Sequence, residues 1–154
     1  MVRLEKLSPE ERKNLENLAC PTFDTQPWVK GPPLGQRRVA IISTAGLHHR
    51  DDRPFTREPG DYYRIIPGNI KAEDLVMSHV SVNFDRSGFQ QDWNVVFPID
   101  RLRELADEKV IHSLASFHYS FMGADDPMRW KQAAGTIADL LKRDKVNAVL
   151  LVPV

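Results

Sequence analysis

Val39-Ala40-Ile41-Ile42 is apolar at four successive positions and stops at Ser43-Thr44-Ala45-Gly46. A run of strand length, rich in β-branched residues and apolar on both faces, predicts a parallel strand covered on both sides. Tyr62-Tyr63-Arg64-Ile65-Ile66, closed by Pro67-Gly68, predicts a second strand, and His79-Val80-Ser81-Val82 a third. The stretch from Leu47 to Gly60 is polar, carries His48, His49, Asp51, Asp52, Pro54 and Pro59, and predicts a long loop. Lys71 to Leu75 predicts one helical turn, and Asp85-Arg86-Ser87-Gly88 is turn chemistry.

Helical spacing appears in three places. Ser8-Pro9-Glu10-Glu11 forms a capping box with proline at the first helical position and predicts a short helix to Ala19. Asp100 is placed to cap a helix through Lys109, with Leu102 and Leu105 inward. Asp126-Pro127 opens the strongest helix, whose apolar stripe is Met128, Trp130, Ala134, Ile137 and Leu141, with Lys142, Arg143 and Lys145 suiting its C-terminal dipole. Ser113 to Phe117 predicts a short strand and Val146 to Val152 a buried one.

Between Cys20 and Gly35 four prolines exclude a central strand, so this segment reads as an extended strap laying Phe23 and Trp28 over the core. The order of elements predicts an α/β fold, a mainly parallel sheet flanked by helices in the flavodoxin or Rossmann manner. It divides the chain into a helix at 1–19, the strap at 20–36 and one α/β domain at 37–154. A parallel strand such as Val146–Val152 normally delivers its tip to a crevice and continues into a loop and helix. Here Val152 is followed only by Pro153-Val154. Two readings stand: a small domain ending on its last strand, or a fold truncated there, with its sheet half covered.

Composition narrows the function classes. The 154 residues hold 21 Lys+Arg against 21 Asp+Glu, a net charge of zero, which argues against a general nucleic-acid binder. No apolar run approaches the roughly 18 residues of a membrane span, and the N-terminus carries no apolar secretory core. One cysteine excludes an internal disulfide framework and a multi-cysteine zinc site. The expectation is a cytoplasmic protein of one domain.

Several ordered blocks then carry a resemblance. They are Val39 through His48, Tyr63-Arg64-Ile65-Ile66-Pro67-Gly68, Ser78 through Asp85, Asn94 through Leu102, His118-Tyr119-Ser120-Phe121-Met122-Gly123, and the terminal Leu151-Val152-Pro153-Val154. Together they resemble the selenoprotein B family of the glycine, sarcosine, betaine and D-proline reductases, over most of the chain from Trp28 onward. The resemblance implies reductive cleavage of a C–N bond in a small amino acid or amine. It implies a partner subunit bearing a pyruvoyl group and electrons drawn from a thioredoxin-like dithiol. It also implies a selenocysteine, or a cysteine, immediately after Val154. Selenocysteine is encoded by UGA, so the reading frame is expected to have been taken only to an in-frame UGA, leaving the chain as given inactive. Selenium suits the task because a selenol is ionised at neutral pH, whereas a free thiol has a pKa of about 8.5.

Such chemistry needs a proton donor for the departing amine and a pocket that tolerates an anion. Residues at the C-terminal tips of parallel strands reach that place. Ser43, Thr44 and Gly46, with Ser120, are the candidates for holding substrate, through hydroxyls and backbone N–H groups. His118, His48 and His79 are the candidate acid/base residues, with His49 beside them; each also reads as an ordinary hydrogen-bonded or solvated histidine. The same histidines with Asp85 offer metal-ligand chemistry, and a metal-dependent hydrolase is the lesser alternative. Their spacing matches no metal module, and no metal ligand is assigned. Cys20 lies outside the resembling blocks and reads as incidental. Trp93, Phe89 and Phe97 read as core or contact residues, Asp92, Asp100 and Arg101 as turn and cap residues, and Arg129 and Lys131 as a solvated helix face. A non-catalytic binding or assembly module, using the first helix and the strap, is the main alternative. A half-covered sheet also predicts self-association, most simply as a homodimer.

Overall fold

The computed structural model describes residues 4–17, 22, 24–56, 58–81 and 84–154. The first helix, α1 (Pro9–Glu16), is capped as its sequence predicts: the Ser8 hydroxyl accepts the Glu11 N–H, and the Glu11 carboxylate accepts the Ser8 N–H. It buries none of its residues. Its expected extension through Leu18 and Ala19 lies outside the described residues, as do Cys20 and Phe23. Trp28 is 84% exposed, so the strap does not lay it on the core. Prolines leave this segment without ladder donors, and residues 24–30 stay exposed.

The apolar run becomes β1 (Arg38–Ser43). Two differences follow from one pairing. The expected loop after it contains β2 (Leu47–His49), and beyond β3 (Tyr63–Pro67) the next strand is β4 (Leu75–Met77), not His79–Val82. Leu47, His48 and His49 pair antiparallel with Met77, Val76 and Leu75, which places the ladder in the apolar triplet and leaves His79 beyond it; Val82 is not among the described residues. The turn at Ala72–Asp74 is a single 3-10 turn.

Asp85 accepts the Ser87 N–H and leads into α2 (Ser87–Gln91). Next comes α3 (Ile99–Asp107), whose N-cap is Pro98 and not Asp100. Asp100 sits inside the first turn, where its carboxylate accepts from Trp93 Nε1 at 2.6 Å, Asn94 Nδ2 at 3.1 Å and Arg103 Nη1 at 2.8 Å. The strand expected at 113–117 is two pieces, β5 (Ser113–Leu114) and β6 (Phe117–Phe121). Asp126 accepts the Met128 N–H and starts a 3-10 turn at Pro127–Trp130, which passes into α4 (Lys131–Arg143). In α4 it is Ala133 with Ile137 that is buried; Ala134 and Met128 face outward.

The last strand, β7 (Ala148–Val152), runs parallel to β1 from Val39↔Ala148 to Ser43↔Val152. On its other side β1 pairs parallel with β5 and β6, and β3 closes antiparallel on β6. The sheet is therefore mixed and mostly parallel, in the order β3, β5/β6, β1, β7. Alternation along β1 splits the core. Val39 and Ile41 join Phe97, Ile99 and Leu102 on the face covered by α3, whereas Ile42 packs with Tyr119, Phe121 and Ile137 on the face of α4. At the N-terminal end of the sheet Arg38 ties the layers together, donating to Asp144 Oδ1 at 2.6 Å and to the Asp144 carbonyl at 2.7 Å.

β7 is not buried. Val149, Leu150 and Leu151 are 40%, 38% and 64% exposed, because the strand lies at the sheet edge and α4 covers β6, not β7.

Candidate functional site at the strand tips

The C-terminal tips of β1, β6 and β7 converge on Val154. Thr44 follows β1, and its N–H donates to the Val152 carbonyl at 3.1 Å. Its hydroxyl accepts the Val154 N–H at 2.8 Å and donates to the Val154 carbonyl at 3.2 Å. Gly123 follows β6 and donates its N–H to the Thr44 carbonyl at 2.8 Å. A Cβ on Gly123 would stand 2.7 Å from that carbonyl oxygen and 2.9 Å from the Val154 oxygen, so only glycine permits this approach. Gly123 was legible only as part of the His118–Gly123 block, with no role attached.

Ser43 and Ser120 lie opposite each other in the β1–β6 ladder, both fully buried. The Ser43 hydroxyl donates to the Val96 carbonyl at 2.8 Å and accepts the Ala45 N–H at 3.2 Å. Ser120 Oγ accepts the Leu47 N–H at 2.8 Å. Both hydroxyls are thus engaged in joining loops to the tips. Gly46 has φ +66°, donates its N–H to the Phe121 carbonyl at 2.9 Å, and packs so closely that a Cβ would lie 2.8 Å from Met122 Cε and 3.1 Å from the His79 backbone.

The histidines separate. His118 is two residues back from Ser120, fully buried, with its ring edge-on to Phe97 at 5.6 Å between centroids. Its Nδ1 accepts the Ile41 N–H at 2.9 Å, which fixes the neutral ring's proton on Nε2. Burial above all, and then the Arg103 charge, pushes its pKa down to about 4. His79 lies at the tips, against Gly46, and is 5% exposed. Its Nδ1 accepts the Ser81 N–H at 3.2 Å, so its proton too is on Nε2; burial first and the Arg86 charge second lower its pKa. His48 has the other tautomer, since Nδ1 lies 2.8 Å from the His49 carbonyl and must donate, leaving a lone pair on Nε2. The Nε2 atoms of His48, His79 and His118 are all buried without a hydrogen-bond partner among the described residues. His49 is turned to the loop, where its Nδ1 accepts the Asp51 N–H.

Two cavities flank the tips. One is an apolar groove of about 790 Å³ between α4 and β7, reached by Thr44 and Pro153. The other, of about 290 Å³, is polar and lined by Thr56, Glu58, Asp61, Asp125 and Arg129, with Met122 and Val80 at its apolar side. Asp61 was not anticipated. It is buried, accepts from Arg64 Nη1 at 2.6 Å, Arg53 Nη2 at 3.0 Å and the Thr56 N–H at 2.7 Å. Burial opposes its ionisation, but the Arg64 and Thr56 donors outweigh that and hold its pKa at about 2. The signal was Arg64 itself, a cation inside an apolar strand. Among the described residues no group of three or more His, Cys, Asp or Glu side chains is gathered to hold a metal ion, and no helix is long and apolar enough to cross a membrane.

Thr44, Gly46, Gly123 and His79 thus gather at the tips of a mixed, mostly parallel sheet. The chain belongs to the glycine/sarcosine/betaine reductase selenoprotein B family, whose model matches residues 22–154. It is 36% identical over 120 residues to the D-proline reductase subunit gamma of Acetoanaerobium sticklandii, covering 77% of this chain and 49% of that protein. It is 30% identical over 140 residues to the sarcosine reductase complex component B subunit beta of Peptoclostridium acidaminophilum, and 28% identical over 140 residues to the glycine reductase complex component B subunit gamma of Symbiobacterium thermophilum. Each of those alignments covers 85% of this chain, and 31% and 32% of the relative respectively. The chain thus spans about half the length of the first relative and about a third of the other two. No solved structure matches it.

Proposed function

We propose that this chain is the front part of a redox subunit in a reductase complex that cleaves a C–N bond of a small amino acid or amine. In this reading the selenocysteine or cysteine stands immediately after Val154, and the 154 residues alone are inactive. The observation that carries the reading is the Thr44–Val154–Gly123 contact, which brings the position after Val154 to the tips of β1 and β6. A selenol or thiol there supplies the nucleophile of the reductive cleavage. Thr44 and Gly123 fix its backbone. His79 presents a neutral Nε2–H beside Gly46, a hydrogen-bond donor towards the leaving nitrogen, and His48, whose Nδ1 donates to the His49 carbonyl, is the second candidate of this reading. Ser43, Ser120 and His118 have their hydroxyls and Nδ1 already engaged in the strands, and this reading gives them a positioning role. Gly46 keeps the loop low enough for His79 to approach.

In this reading, as the family resemblance implies, the complex includes a pyruvoyl-bearing subunit, and a thioredoxin-like dithiol returns the electrons. The exposure of Val149 and Leu151 on β7 among the described residues supports self-association of the 154-residue chain, most simply as a two-fold dimer.

The test is to read the gene through codon 155 and express the continued protein with cysteine there. With its complex partners and a dithiol, it is expected to cleave the C–N bond of D-proline, glycine, sarcosine or betaine. A frame that closes at codon 155 would sink the reading and leave a binding or assembly module. So would an assembled complex in which replacing that cysteine by serine changes nothing.

A further inference from the structure

We propose that the groove beside α4 and the outer edge of β7 are filled by the next helix and strand of the same polypeptide. The helix lies alongside α4, and the strand pairs parallel with β7. This rests on the reading that the protein continues past Val154.

The first argument is the edge itself. Natural edge strands protect their unpaired N–H and C=O groups with charges, bulges or short length. β7 runs five residues, Ala-Val-Leu-Leu-Val, with no charge, and among the described residues only β1 pairs with it. Leu150 faces the α3 side and Leu151 the α4 side, as their ladder partners Ile41 and Ile42 do. A strand apolar on both faces is the pattern of a parallel strand inside a sheet.

Handedness then selects the face. From β1 the chain steps to β6 in one direction, with α3 on one face of the sheet; from β6 it steps to β7 in the opposite direction, with α4 on the other face. Opposite steps with helices on opposite faces have the same hand, and parallel crossovers are almost always right-handed. A further step outward from β7 repeats the direction of β6 to β7, so its helix must lie on the face of α4. That face holds the groove, floored by Ile42, Phe121 and Leu151, walled by Trp130 and Met128 and bordered by Thr22 of the strap. Trp130 Nε1 is a buried donor without a partner among the described residues. Thr44 and Pro153 line the groove's near end, so chain leaving Val154 starts beside it. The relatives supply the length, this chain covering 49%, 32% and 31% of theirs.

The occupant is therefore an amphipathic helix with an apolar stripe. The experiment compares the 154-residue chain with the continued protein carrying serine at position 155. Both have Cys20→Ser and Leu151→Cys, are held at a concentration where the short chain is monomeric by light scattering, and are labelled with a maleimide. Thr136→Cys, on the exposed side of α4, serves as a control for reagent access, and Ala133→Cys, buried on the same helix and slow to react only when folded, as a control for intact folding. Leu151→Cys is expected to react freely in the short chain and at least about tenfold more slowly in the long one, with Thr136→Cys equal in both. Equal, fast labelling of Leu151→Cys in a folded long chain would overturn the proposal while leaving the redox position untouched. Protection of Leu151→Cys in the long chain that is lost when that chain is diluted to a monomer would assign the face to a second copy and overturn it too. Conversely, protection with an inert cysteine at 155 would sink the proposed function and leave this inference standing.

Discussion

Thr44 holds Val154 by both its backbone groups, accepting the N–H at 2.8 Å and donating to the carbonyl at 3.2 Å through one hydroxyl. Valine at position 44 has the same shape and neither bond. In the continued protein Thr44→Val is expected to lower turnover by roughly 10- to 100-fold, the scale on which small misplacements of reacting groups act. Thr44→Ser keeps the hydroxyl and should recover most of it. Thermal melting of the two variants separates positioning from stability. If Thr44→Val melts with the parent and turns over normally, the clamp has no catalytic role.

Gly123 makes a similar demand without a side chain. An added methyl at position 123 meets two backbone oxygens, those of Thr44 and Val154, neither of which can rotate away. Gly123→Ala is therefore expected to shift the Val154 backbone and cost about 1–3 kcal/mol, as overpacking does. Gly46→Ala adds a positive φ to a clash with the flexible Met122 side chain and the His79 backbone, and should cost a similar amount. Denaturant midpoints give both values.

His118 predicts a pH dependence. Folded, its pKa is about 4, whereas an unfolded histidine titrates near about 6.5. Between those values the unfolded chain binds a proton that the folded chain refuses. The stabilisation is therefore full above about pH 6.5 and falls as the pH drops towards 4, by roughly 3 kcal/mol in all. His79 titrates in the same sense. His118→Phe orphans the Ile41 N–H and should cost about 1–3 kcal/mol at pH 7. It should also flatten the slope between pH 4 and 6.5. Chemical denaturation at several pH values checks both; an unchanged slope would show that another group carries it.

What the sequence disclosed was its local chemistry. The Ser8 capping box and the run at Val39–Ile42 depend on near neighbours, and they stand where expected; of the stripe read for α4, Ile137 is buried while Met128 and Ala134 face outward. What it concealed depends on pairing. Nothing near Leu75-Val76-Met77 announces that its partner is Leu47-His48-His49, so a ladder was read as a loop. Likewise Val149-Leu150-Leu151 looks like core whether or not anything covers it. The candidate residues Thr44, Gly46 and His79 meet at the tips because they follow β1 and β4. His118 looked equivalent only because its distance from the end of β6 cannot be read without the register against β1.

The Asp61–Arg64 pair shows the same limit and gives the last prediction. The two are three residues apart, yet their environment comes from the loop before them. Arg64 donates to the carbonyls of Arg53 and Pro54 and lies 4.3 Å over the Phe55 ring, while Asp61 gathers the Arg53 guanidinium and Thr56. The pair thus folds residues 53–56 and 58–61 back over β3, along the wall of the polar cavity. Asp61→Asn removes one charge and leaves the buried Arg64 with only the part-exposed Asp52 carboxylate, 3.5 Å from its Nε, as a counter-charge, which should cost at most about 3–5 kcal/mol. Because the folded carboxyl titrates at about 2, its stabilisation is complete above about pH 3.8 and is lost as the pH falls through 2. The parent should therefore lose stability steeply below pH 4, where Asp61→Asn changes less. Replacing both, as Asp61→Asn with Arg64→Met, should recover part of the loss, since no buried charge is then left alone. A double variant no better than Asp61→Asn would mean that the Arg64 contacts to the loop carbonyls, not the ion pair, hold residues 53–56 in place.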